Sequence, residues 1–156
     1  MNPIRWHWYA WNEWSNDLLY AALRLRSAIF VVEQNCVFLD MDGLDAQCRH
    51  LCGFDADGEL LAYARLVPPG LKYPGVSIGR VVVSAGARGS GLGHELMRQA
   101  KAGCAEHYPD SEVFIGAQQH LESYYTRHGF RPYGEPYLED GILHIDLRSG
   151  PVRPLY

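Results

Sequence analysis

The chain has 156 residues, a length that fits one domain, and 47% of them are hydrophobic, enough for a packed core and too many for intrinsic disorder. Eighteen acidic against fourteen basic residues give a net charge of −4, which argues against nucleic acid as a partner, because neutralising phosphates needs a basic face. No long apolar run and no charged-then-apolar leader is present, so the expectation is a cytoplasmic protein without a membrane span.

Arg5 to Ala10 is predicted as a first strand, its aromatics suited to a sheet. Ser15 can cap a helix with Asp17 in its first turn. Leu18, Ala22, Leu25 and Ile29 then follow a helical stripe, predicting a helix to about Val32. Glu33 to Gln47 is irregular and acidic, and a connection of this length is usually functional or mobile. Cys48 to Phe54 reads as a strand, Asp57-Gly58 as a hairpin turn, and Glu59 to Val67 as the returning strand with Leu60, Ala62, Ala64 and Leu66 on one face. The four cysteines, Cys36, Cys48, Cys52 and Cys104, form no disulfide framework. Cys48, His50 and Cys52 alternate and would share a strand face, but no paired C-x-x-C spacing supports a metal, and none is expected.

Val76 to Val83 is the next strand, and the turn at its end carries the chemistry. Ser84 to Ala87 turn the chain, and Arg88-Gly89-Ser90-Gly91-Leu92-Gly93 opens a helix with Leu92, Leu96, Met97, Ala100 and Cys104 on one side. That helix ends before Pro109. A glycine-rich helix start leaves backbone N–H groups free at the positive end, where a pyrophosphate can approach. A nucleotide-binding Walker loop needs Lys then Ser or Thr after its last Gly, but Leu92, Gly93 and His94 follow Gly91. A dinucleotide loop needs G-x-G-x-x-G, and from Gly89 the last position is His94. Val113 to Gln118 reads as a buried strand, followed by a short helix stopping at Gly129. Phe130 to Glu135 and Ile142 to Arg148 read as a final antiparallel pair around Glu139-Asp140-Gly141. The order of elements predicts a mixed α+β sheet covered on both faces.

The pattern left at the loop is R-x-x-G-x-G, at Arg88, Gly91 and Gly93, and it resembles the acyl-CoA-binding motif of the GNAT N-acetyltransferases. Downstream, Tyr125 precedes Gly129-Phe130 by four residues, as in that family. The stretches at Phe30–Cys36, Asp40–Asp45, Arg49-His50, Ile78–Ser84 and Glu139–Ile145 resemble its ElaA-like branch, which usually has Pro where Val37 and Leu143 stand. The resemblance spans nearly the whole chain. It implies a single acyltransferase domain over residues 1–156, with a mainly antiparallel sheet that splits between Val76–Val83 and Val113–Gln118. It also implies transfer of an acetyl group from acetyl-CoA to a primary amine of a small-molecule or peptide acceptor, and in many relatives a homodimer.

The same resemblance assigns the site residue by residue. The donor's pyrophosphate would rest on Arg88, Gly89, Ser90, Gly91, Leu92 and Gly93. Its pantetheine arm, as in GNAT relatives, would pair with backbone along Val81, Val82 and Val83, where an N–H could also hold the oxyanion. Tyr125 occupies the family's position for the acid that protonates the leaving thiolate, while Tyr124 is expected to pack on the core. Glu33 is the first candidate base, on the argument that burial behind Phe30-Val31-Val32 raises its pKa. His120 and His144 are secondary candidates. An acidic rim over Glu33–Gln47 would draw cationic amines from a distance. Two other readings fit the same loop: a non-catalytic acyl-CoA-binding sensor, and an acyl-homoserine-lactone synthase-like enzyme, which would favour a basic docking patch for a carrier protein.

Overall fold

A computed structural model describes residues 3–153; residues 1–2 and 154–156 of the expected domain lie outside them. Seven strands form one sheet in the order β1-β2-β3-β4-β5-β7-β6. In chain order these are β1 (Arg5–Ala10), β2 (Arg49–Phe54), β3 (Leu60–Val67), β4 (Val76–Val83), β5 (Val113–Gln118), β6 (Arg131–Glu139) and β7 (Ile142–Ser149). All neighbours run antiparallel except β4 and β5. Helix α1 (Asn16–Ser27) lies on one face, and α2 (Leu92–His107) and α3 (Glu122–Thr126) lie on the other.

The α2 stripe read from the sequence is the main core. Leu92, Leu96, Met97, Ala100 and Cys104 pack on Ala62, Ala64 and Leu66 of β3 and on Ile115 of β5. Leu96 and Met97 are fully buried, each contributing about 1.5–3 kcal/mol. Leu60 breaks the expected alternation and faces α1. The pairing of β2 with β3 shifts between Gly53 and Phe54, so Leu61 is an extra residue and takes the α2 side.

Two other details differ from expectation. Ser15 caps α1 through its Oγ to Leu18 N (3.1 Å), but the regular helix ends at Ser27 and continues as a π-helical turn, Ala28–Glu33. Gln34 N and Cys36 N reach back five residues, to Ile29 O and Val31 O. The β-branched run Ile29, Val31, Val32 crowds a tighter turn. Strand β6 runs to Glu139 rather than stopping at Glu135. It holds Gly134 and Pro136 in a bulge, which an edge strand tolerates.

The largest correction concerns Glu33–Gln47. Its aspartates do not form a free rim: Asp40 and Asp45 turn inward, Asp42 stays at the surface, and all three pair with arginines. Arg26, 1% exposed, donates Nε to Asp40 Oδ2 and Nη1 to Asp45 Oδ1, both 2.8 Å. Arg65, also 1% exposed, donates Nη1 to Asp45 Oδ1 (2.8 Å) and to Asp42 Oδ1 (2.9 Å), and pairs with Asp42 through Nη2. Arg80 donates Nη2 to the Asp40 carbonyl (2.8 Å). Its Nε lies 2.8 Å from Asp40 Oδ1, off the N–H axis, as an ion pair. Burial alone would raise the carboxyl pKa values of Asp42 and Asp45, but bonding to Arg65 and Arg26 outweighs it and holds both below the ordinary range. With these charges paired to arginines, the segment offers little net negative charge for long-range attraction of cationic amines.

His50 closes the network's far side. Its Nε2–H donates to Asp45 O (2.9 Å), Nδ1 accepts from Tyr63 Oη (2.6 Å), and Trp14 stacks on the ring at 4.2 Å. Both nitrogens therefore have protein partners. Burial pushes the Cys48 and Cys52 thiols up to about 11 and about 12, which makes them inert apolar contacts.

Two outcomes are expected for stability. Asp45→Asn leaves two buried guanidinium groups short of charge and should cost about 3–5 kcal/mol in urea unfolding. Burial lowers the His50 pKa to about 4 from an ordinary value near 6.5. The unfolded chain therefore takes up a proton there first as pH falls. Stability should be complete above pH ~6.5 and decline by roughly 3 kcal/mol towards pH ~4, a slope that His50→Gln removes. The network's own carboxylates add their loss only below pH ~4.

Candidate active site

Strands β4 and β5 are hydrogen-bonded only at their start, where Val76 pairs with Val113 and Ser77 with Phe114. Beyond that they diverge, and the edge of β4 facing β5 has no strand partner. Arg80 lies just beyond the point of divergence. At φ +51 it is an extra residue in β4: Gly79 to Val82 on β4 spans three steps while Arg65 to Tyr63 on β3 spans two. The buried aspartates hold that bulge in place. After it, Ser84 N donates to Leu61 O of β3 at 2.8 Å. Alternation along the strand then turns the N–H groups of Val83 and Val81 towards the gap.

The gap is a cleft of about 520 Å³. Its walls include Val81, Val82, Val83 and Arg88 on one arm, and Gly116, Ala117 and Gln118 on the other. Tyr125, Glu33, His120 and His144 also reach it, so it brings together residues from across the sequence.

At the upper end of β4 a short turn, Ala85–Ala87, leads to the glycine-rich loop. Gly89 and Gly91 have φ of +83 and +81, which a side chain disfavours, and a Cβ on either would point into open space. Gly91 caps α2 with no side-chain bond, and Glu95 N is the first amide to find a helical acceptor, Gly91 O at 3.2 Å. The N–H groups of Leu92, Gly93 and His94 are thus free at the helix's positive end. This is the geometry of an anion site. Tyr124 Oη donates to Gly93 O (2.6 Å), which ties α3 to the start of α2. It thus has a structural bond as well as core contact.

Tyr125 is 7% exposed, packed in the core and among the residues that line the cleft, and its hydroxyl has no hydrogen-bond partner among the described residues. Burial raises its pKa, so the group keeps its proton at neutral pH. Glu33 differs from expectation. It is exposed and forms a two-armed pair with Arg88, Nη1 to Oε1 at 2.8 Å and Nη2 to Oε2 at 2.6 Å. That bonding holds its carboxyl below the usual range, the reverse of the burial argument. Next to it, Gln118 Nε2 donates to Gln34 Oε1 (2.9 Å). Residues 33 and 34 therefore bridge the cleft mouth from the β4 side to the β5 side. Arg88 faces this bridge rather than the free amides.

Sequence reasoning missed the bulge residue Arg80, the inward aspartates, and a polar group on the β5–β7–β6 face. There, Asp146 Oδ1 accepts from both Tyr73 Oη and Tyr137 Oη at 2.8 Å. An arginine inside an apolar strand, as at Arg65, was the available signal that buried carboxylates must exist somewhere. No comparable signal marked Tyr73, Tyr137 or Asp146. Among the described residues no cluster of three or more His, Cys, Asp or Glu is placed to hold a metal, and no helix is long and apolar enough to cross a membrane.

Comparison with known proteins agrees with this geometry. A family model described as "Acetyltransferase (GNAT) domain" matches residues 37–149. Protein ElaA of Escherichia coli is 45% identical over 146 residues, covering 92% of this chain and 95% of that protein, and its crystal structure superposes with a TM-score of 0.87. The crystal structure of an acyl-CoA N-acyltransferase from Pseudomonas aeruginosa superposes with a TM-score of 0.90 at 43% identity, covering 95% of this chain and all of that one. A CoA-dependent acyl-homoserine lactone synthase, solved with isopentyl-CoA, reaches 0.79 at 19% identity, which shows the shared fold alone. The split sheet, the glycine-rich helix start and these likenesses together establish that the chain belongs to the GNAT acetyltransferase family and has its acyl-CoA N-acyltransferase fold.

Proposed function

We propose that the protein transfers an acetyl group from acetyl-CoA to a primary amine of a small-molecule or peptide acceptor. One observation carries this reading: the open edge of β4 lines one cleft together with Tyr125 and with Arg88, the residue that leads into the loop of free amides. The loop at Gly89–Gly93 takes the pyrophosphate on its N–H groups. The pantetheine amides extend the sheet along Val81–Val83, filling the place a strand partner would take. An N–H of the same stretch holds the carbonyl oxygen as it becomes an oxyanion. Tyr125 then gives its proton to the departing thiolate.

Arg88 fits this scheme by exchanging partners. Its pair with Glu33 is solvent-exposed, with both side chains more than 40% accessible, and such pairs are weak. A pyrophosphate offers the same guanidinium two charges and further acceptors. Donor binding would therefore draw Arg88 to phosphate and release Glu33. In the present state Glu33 is a poor proton acceptor.

Two variants test the scheme. Gly91→Val places a branched side chain in the space the anion needs, and the folded protein should lose at least tenfold in CoA affinity by calorimetry. Circular dichroism controls for strain at φ +81. Unchanged affinity in a folded variant would overturn the donor site. Tyr125→Phe keeps the buried ring and loses only the hydroxyl. Turnover should fall roughly 10²-fold or more with CoA affinity nearly constant, because the benefit of the acid exists only in the transition state. Wild-type turnover in this variant, where chemistry limits the rate, would remove Tyr125 as the acid.

A further inference from the structure

The reaction needs a neutral amine, and the residue first expected to take the proton is exposed and bound to an arginine. The opposite wall of the cleft offers a different arrangement. His144 on β7 lies directly across from Gln118, the last residue of β5, and from Tyr137 on β6. Its Nδ1 is 2.8 Å from Ile142 O. A carbonyl oxygen only accepts, so Nδ1 carries the hydrogen and the neutral ring has its lone pair on Nε2. Nε2 faces Glu139 Oε2 at 3.5 Å. A lone pair and a carboxylate oxygen repel one another at that separation. A proton on Nε2 or a donor placed between the two relieves this, and an ammonium group can supply both, having three N–H bonds to share and one proton to give.

The surroundings suit the same ligand. The Tyr137 ring stacks on His144 (centroids 5.9 Å, 25° between planes), and Asp146 holds Tyr137 by its hydroxyl. Tyr73, fixed by the same carboxylate oxygen, stands beside Gly116, where a Cβ would come within 2.6 Å of its hydroxyl. The lack of a side chain at 116 thus lets Tyr73 close over the β5 backbone. The result is an aromatic wall with the Glu139 carboxylate at its edge and Lys72 in the same cleft, and ring faces beside a carboxylate are the combination that recognises an organic cation. The groups facing His144 are Glu139 and Tyr137 on β6, Gln118 on β5, and Asp146 along its own strand.

We propose that Glu139, His144 and Tyr137 form the seat of the acceptor amine, and that His144 Nε2 is the base that neutralises it. The proposal rests on the acyltransferase reading above. The acceptor is a primary alkylammonium. One of its three protons bonds Glu139, and another passes to His144 and on to solvent. The nitrogen lone pair attacks the thioester carbon, the C–N bond forms and the C–S bond breaks, with its electron pair going to sulfur. Tyr125 protonates that thiolate and is restored by the second proton leaving nitrogen.

The test uses propylamine as the strongly basic probe and hydroxylamine as an acceptor already neutral at pH 7. With propylamine, His144→Asn should lower turnover roughly 10²-fold or more. With hydroxylamine the loss should be under tenfold, a contrast that a purely structural role would not produce. Glu139→Gln should raise the propylamine KM with a smaller change in kcat. Equal losses for both acceptors, or none, would overturn the base assignment. A separate readout keeps the seat independent of turnover. Propylamine titrated into the CoA-saturated protein should shift the His144 ring resonances saturably, and Glu139→Gln should abolish the shift. Such a shift without thiol release would keep the seat and sink the acyltransferase reading. Thiol release without that shift would sink the seat alone.

Discussion

Three aspartates of one irregular segment, closed onto three arginines from α1, β3 and β4, are the constraint on which the rest of the molecule depends. Arg26, Arg65, Asp40 and Asp45 are buried while Arg80 and Asp42 are partly accessible, and each guanidinium reaches two carboxylates or a carboxylate and its own backbone carbonyl. Such a cluster adds little net stability over an apolar core, but breaking one member leaves the others unpaired and buried. It therefore acts as an all-or-none register device. It fixes where residues 40–45 cross the sheet, and it holds Arg80 at a backbone conformation that a non-glycine residue rarely adopts.

From that bulge the chemistry follows by geometry. A strand edge normally finds a partner, and an unpaired edge is an invitation to any extended peptide-like group. Here β4 leaves β5 after two residue pairs and ends at a helix start whose amides are also unpaired. One long ligand with an amide-bearing arm and an anionic head satisfies both at once. The fold thus leaves a donor-shaped set of missing hydrogen bonds, with a protonated phenol among the residues that line the cleft.

The order of elements was legible in the sequence because it rests on strong local signals. The stripe of Leu92, Leu96, Met97, Ala100 and Cys104 and the Ser15 cap are examples, and the glycines at 89, 91 and 129 mark the turns. What escaped was everything decided between distant segments. The bulge at Arg80 depends on Asp40, forty residues earlier, and no local pattern announces it. The acidity of Glu33–Gln47 was legible but its direction was not, since charge count cannot tell an exposed rim from an inward cluster. Glu33 failed similarly: apolar neighbours suggested burial, but the π-helical turn carries the side chain out to Arg88. His144 was visible only as a lone histidine, and its meaning comes from the strand register that sets it against Glu139 and Tyr137.

Thiol release from acetyl-CoA across a panel of primary amines, with product masses read alongside, tests the central claim most directly. The account predicts release that depends on the amine and matches formation of one N-acetyl product mole for mole. Saturable acetyl-CoA binding with no amine-dependent release over alkylamines, diamines, amino acids and peptide amines would contradict it. That result would leave a CoA-binding protein that does not turn over.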